Sequence, residues 1–139
     1  MAVQFDFGAA VGEPVWFRPM FSKMAGLLDL PPNWNSHGAR PVSLKAIEYA
    51  LNLLIQTMQT DTPLPTIVPL PRGGIQLEWH LSGIDFEVAV SPEGQFTLYL
   101  EGSNRFETAD EFLEAEGQLG DIQETVAQAL AELTARSGQ

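Results

Sequence analysis

Cysteine is absent from the 139-residue chain, which excludes disulfides, thiolate nucleophiles, cysteine-based zinc sites and iron–sulfur clusters. Positive charge is scarce: 7 Lys and Arg stand against 18 Asp and Glu, for a formal charge of −11 and a pI near 4.3. Such a balance repels a phosphate backbone, so direct nucleic-acid binding is not expected. No apolar run approaches the roughly 20 residues of a membrane-spanning helix. Near the start, Asp6, Glu13, Pro14 and Arg18 break up any secretory signal, and the chain reads as cytoplasmic. Catalytic signatures are missing as well. Arg72-Gly73-Gly74 precedes a strand instead of a helix, so it is no phosphate loop. Neither Gly-x-Ser-x-Gly nor His-Glu-x-x-His occurs, and there are only 2 histidines.

What is present suits one ordinary core. A 45% hydrophobic, 18% charged composition over residues 1–139 predicts a single domain. Val3, Phe5 and Phe7 alternate as in a half-buried strand, and a second apolar piece follows at Val15-Trp16-Phe17. Phe21, Met24, Leu27 and Leu28 fit a helix that Pro31-Pro32 ends. Beyond the loop 31–41, Ser43 is an N-cap, with Val42 and Ile47 placed as a hydrophobic staple. Leu44, Ile47, Leu51, Leu54 and Met58 then define an amphipathic helix over Leu44–Gln59. Pro63, Pro65, Pro69 and Pro71 around Thr66-Ile67-Val68 allow an extended edge segment but not a central strand.

Residues 75–101 carry the clearest pattern. Ile75, Leu77, Trp79 and Leu81 alternate with polar residues, as do Ile84, Phe86, Val88 and Val90 after Ser82-Gly83. A two-residue turn at Ser82-Gly83 sets Leu81 opposite Ile84, Trp79 opposite Phe86, Leu77 opposite Val88 and Ile75 opposite Val90. Slipping by one residue would turn each apolar side chain to the wrong face. A three-residue loop Pro92-Glu93-Gly94 brings Phe96, Leu98 and Leu100 onto the same side, with Gly94 in the left-handed position. Further on, Thr108–Glu111 forms a capping-box pattern before a short helix with Phe112 and Leu113, and Asp121 with Glu124 opens a last helix over Asp121–Ala135. The expected fold is α+β: an antiparallel β-meander packed against one long amphipathic helix, with further C-terminal helices.

That register also decides what the opposite face carries. Glu78 falls opposite Glu87 and next to Tyr99, while His80 falls opposite Asp85 and next to Glu101. Opposed carboxylates repel, which marks a surface awaiting cations from a partner or one wet enough to tolerate the pair. His80, Asp85 and Glu101, with Glu78 beside them, are also suitable ligand types for a divalent ion. The loop Trp34–Pro41 displays Trp34 and Arg40, residues that recognise partners when exposed and anchor a loop when not.

Trp34-Asn35-Ser36-His37-Gly38-Ala39-Arg40-Pro41 before an amphipathic helix, followed by Gly73-Gly74-Ile75-Gln76-Leu77-Glu78-Trp79 entering a meander, resembles a loose family of small, uncharacterised bacterial proteins. The likeness spans about Leu30–Glu101. It implies a bacterial cytoplasmic protein with a helix-plus-sheet fold, and it transfers no activity.

Together these features point to a non-enzymatic acidic module of the antitoxin, immunity or adaptor kind, which engages a basic protein through Glu78, Glu87, Tyr99, Asp85, Glu101, Trp34 and Arg40 and needs no cofactor. Two alternatives stand beside it. One is a small metal-assisted hydrolase using the carboxylates and histidine of the sheet face; the other is a small-ligand module with Trp34 in its wall. Homo-oligomerisation through an exposed strand edge is compatible with each.

Overall fold

A computed structural model describes residues 12–104 and 112–138. Among these, the chain forms helices α1 (Phe17–Gly26), α2 (Leu44–Thr57) and α3 (Leu119–Ser137) and strands β1 (Thr66–Pro69), β2 (Ile75–Leu81), β3 (Ile84–Val90), β4 (Phe96–Glu101) and β5 (Phe112–Gly117). The strands make one antiparallel sheet in the order β1-β2-β3-β4-β5. Helices α2 and α3 pack on one face, and α1 packs on α2.

The hairpin register is the one the alternation demands. Trp79 pairs with Phe86, Leu77 with Val88 and Ile75 with Val90, and Val90 in turn pairs with Phe96. Ser82 and Gly83 take φ of 55° and 77°, the doubly left-handed turn whose twist matches the flanking strands. In the next loop Gly94 takes φ of 85°, and its N–H donates to Ser91 O across 3.0 Å. A side chain on Gly94 would also meet the Tyr49 ring at 2.9 Å, so glycine is required there twice over. The inward residues Ile75, Leu77, Trp79, Phe86, Val88, Phe96 and Leu98 are buried with Ile47, Leu51 and Leu54 of α2 and Val126, Leu130 and Leu133 of α3.

Helix α2 begins where expected, with the Ser43 hydroxyl accepting from Lys45 N, and stops two residues earlier than the apolar stripe suggested. Other boundaries differ more. Helix α1 starts at Phe17, ahead of the expected Phe21, because Phe17, Met20 and Met24 supply the buried stripe while Phe21 sits on its flank. Pro19 is compatible with this start, since it lies in the first turn, where a backbone N–H has no helical acceptor. The segment Leu27–Asp29 continues as a 3-10 turn.

The largest correction concerns Phe112 and Leu113, read as helical but found in β5. Leu113 pairs with Leu100 and Ala115 with Leu98, so a weak alternation finds the open edge of β4 and completes the sheet. Its Glu-Ala-Glu segment has intrinsic helix propensity, which cross-strand pairing overrides. One C-terminal helix therefore follows the sheet, and at 19 residues it is longer than α2 with 14. Gln118, not Asp121, is its N-cap. Asp121 sits at the third position and accepts from Gln118 N at 2.9 Å, completing a reciprocal capping box. The strand expected at residues 3–7 and the capping pattern at Thr108–Glu111 lie outside the described residues.

Candidate functional site

Because β-strand side chains alternate, burying Ile75, Leu77 and Trp79 forces Gln76, Glu78 and His80 to the opposite face. The same logic sends Asp85 and Glu87 outward from β3, Tyr99 and Glu101 from β4, and Phe112, Glu114 and Glu116 from β5. Cross-strand pairs join them: Glu78 with Glu87, Glu87 with Tyr99, Tyr99 with Glu114, His80 with Asp85, Asp85 with Glu101 and Thr97 with Glu116. No described helix covers this face, and none of its outward strand positions among the described residues is lysine or arginine.

Local contacts order the patch. His80 Nδ1 lies 2.7 Å from Asp85 Oδ1, and its Nε2 lies 3.6 Å from Glu78 Oε2. An ionised carboxylate only accepts, so the Nδ1–H donates to Asp85. Gln76 Nε2 donates to Glu78 Oε1 at 2.8 Å. The Tyr99 hydroxyl donates to Glu101 Oε2 at 2.9 Å, which holds its proton more tightly than in a free phenol, and the ring stacks on Phe112 at 5.7 Å between centroids. Glu101 is thus engaged by Tyr99. Among the described residues, the three whose ligand atoms converge are Glu78, His80 and Glu87, all within 4.8 Å, a different set from the His80, Asp85 and Glu101 trio that the strand register alone suggested.

The hydrogen bond to Asp85, above all, raises the His80 pKa from 6.5, with Glu78 and Glu87 adding to it electrostatically and burial opposing it. A raised folded-state value means that protonated His80 favours folding fully below 6.5 and that this contribution fades as pH rises through the raised value. With 47% of the His80 side chain exposed, solvent screening keeps the effect small. An NMR titration should therefore give His80 a midpoint above 6.5 that falls back in Asp85→Asn. An unchanged midpoint in that variant would show that Asp85 is not the cause.

Trp34 and Arg40 belong to another part of the molecule. Asn35 Oδ1 accepts from His37 N and Ala39 N at 2.9 and 3.1 Å, Asn33 Oδ1 accepts from Gly38 N at 2.6 Å, and the Trp34 indole donates to Arg40 O at 2.9 Å. Arg40 N in turn donates to Pro71 O at 2.8 Å, which ties the loop to the β1–β2 connection. His80 lies six residues along the extended chain from Gly74, which precedes β2, roughly 20 Å at strand rise. The Trp34 indole hydrogen is thus used within its own loop, and the ring stays half-buried. A cleft of about 370 Å³ at that end of the sheet is lined by Leu70, Pro71, Gly74, Ala89 and Pro92, with Arg72, and not by Trp34.

Sequence reasoning missed Glu114, Glu116 and Phe112, because β5 was read as a helix. The period-two signal in Leu113, Ala115 and Gly117 against Glu114 and Glu116 was the available clue. Not every acidic residue near the C-terminus joins this face. Glu132 is buried, accepting from Ser103 Oγ at 2.5 Å and Asn104 N at 3.0 Å and pairing with Arg136. No helix of the described residues is long and apolar enough to cross a membrane. Comparison of the chain with models of known protein families, with curated proteins and with solved structures returned no match.

Proposed function

We propose that this chain is a non-enzymatic docking module whose outward sheet face receives a basic partner protein. The observation that carries the reading is the concentration of Glu78, Asp85, Glu87, Glu101, Glu114 and Glu116 on the sheet face opposite the helices, with no lysine or arginine among its described strand positions. Like charges opposed across strands cost stability. A guanidinium or ammonium from a partner would remove that cost, and the field of the face would speed and orient encounter. Tyr99 and Phe112 add a stacked aromatic pair for contact beside the charges. The docking surface assigned here is this face alone, without the Trp34 loop.

The test uses a labelled oligo-lysine peptide, with backbone NMR shifts mapping where it binds. Shifts should concentrate at Glu78, Glu87, Tyr99 and Glu114 and weaken with added salt. Neutralising Glu78, Glu87 and Glu114 together as glutamines should cost about tenfold in affinity, the sum of three exposed pairs at ~0.5 kcal/mol each. Glu48→Gln with Glu124→Gln, on the helices, should change nothing. Equal losses in both variants, or shifts spread over the helices, would reduce the attraction to net charge and end the docking reading.

A further inference from the structure

We infer that Glu78, His80 and Glu87 form a binding site for a zinc-class divalent cation on the outward face of β2 and β3, with Asp85 orienting the imidazole. Each of the three residues offers one ligand atom, and these atoms lie within 4.8 Å of one another. A tetrahedral ion with bonds of about 2.0–2.2 Å holds neighbouring ligand atoms roughly 3.4 Å apart. His80 Nε2 and Glu78 Oε2 are separated by 3.6 Å, so one edge of that tetrahedron is already close to size. Glu87 sits directly across from Glu78 and is only partly buried, so rotation about its side-chain bonds brings its carboxylate in.

The imidazole makes this more than a gathering of acids. Its Nδ1–H is committed to Asp85 at 2.7 Å, which leaves Nε2, 3.6 Å from Glu78 Oε2, as the nitrogen available to an ion. A carboxylate behind a ligating histidine is the usual outer support of a metal site, and here it comes from β3 while the histidine comes from β2. Gln76 steadies Glu78 in the same way through its 2.8 Å hydrogen bond. One nitrogen and two oxygens suit zinc and its neighbours in the first transition row. Magnesium and calcium are hard ions that prefer all-oxygen shells, so it is the imidazole nitrogen, not the number of protein ligands, that favours zinc over them. Three protein ligands leave a fourth position open to water or to a donor on whatever docks there. The inference is independent of the docking proposal, since the ion binds or fails to bind whether or not a basic partner exists.

Calorimetry of the untagged chain with zinc chloride, then with magnesium chloride, is the test. One zinc ion per chain is expected, with negligible heat from magnesium. His80→Ala should weaken zinc binding at least tenfold, and Asp85→Asn about 10–100-fold, the usual effect of losing an outer support. His37→Ala should leave it unchanged. Circular dichroism checks that each variant is folded, which the exposure of His80 favours. Absence of zinc binding, retention of full affinity in His80→Ala, or equal binding of magnesium would each overturn the site.

Discussion

Trp79→Ala should lower the unfolding free energy by about 3–5 kcal/mol, the usual cost of deleting a large buried aromatic. Trp79 is 1% exposed, and its indole stacks on Phe86 with centroids 5.5 Å apart. Its Nε1–H also donates to Pro63 O at 2.7 Å, fastening the proline-rich connection after α2 to the sheet. Alanine empties the space and strands that carbonyl. Trp79→Phe keeps most of the apolar area and loses chiefly the hydrogen bond, so about 1–3 kcal/mol is expected. Ordinary domains hold about 5–15 kcal/mol in total, which makes the alanine variant marginal. Urea unfolding reads both values. A loss below about 1 kcal/mol for Trp79→Ala would show that Trp79 is not central to the core. The acidic face depends on this residue indirectly, because burying Trp79 on one side of β2 turns Glu78 and His80 to the other.

Glu132→Ala is expected to cost about 3 kcal/mol, at the lower end for breaking a buried ion pair because Arg136 keeps 23% of its side chain exposed. Arg136 also donates to Ser82 O at 3.2 Å and to Gly102 O at 3.0 Å. Through these contacts the end of α3 grips the β2–β3 turn and the end of β4. Without the carboxylate, Ser103 Oγ and Asn104 N lose their acceptor and the guanidinium loses its counter-charge. Glu132→Gln retains an acceptor and should cost less. A double-mutant cycle with Arg136→Ala should return a coupling above about 0.5 kcal/mol; additive losses would show that the two residues act separately.

Taken alone, the residues between 75 and 101 determined their own pairing. Apolar alternation, the Ser82-Gly83 turn and the three-residue loop ending in Gly94 are local, and each is compatible with a single register. That register by itself sets Glu78 against Glu87 and His80 against Asp85. The amphipathic stripe of α2 and its Ser43 cap were legible for the same reason, since one contiguous segment of chain contains the whole signal.

Tertiary structure decided the rest. Residues 112–117 carry helix-forming glutamates, and it is the unpaired edge of β4 that draws them into a strand and enlarges the acidic face. The choice between Glu101 and Glu87 as the neighbour of His80 depended on side-chain rotation and on the Tyr99 hydroxyl, which a strand register does not specify. The partner of the Trp34 indole hydrogen, and the burial of Glu132 against Ser103 and Asn104 some thirty residues away in sequence, were likewise set by the folded chain. Periodicity assigns a side chain to a face. Which of its neighbours it then contacts is settled by distances between elements remote in the chain.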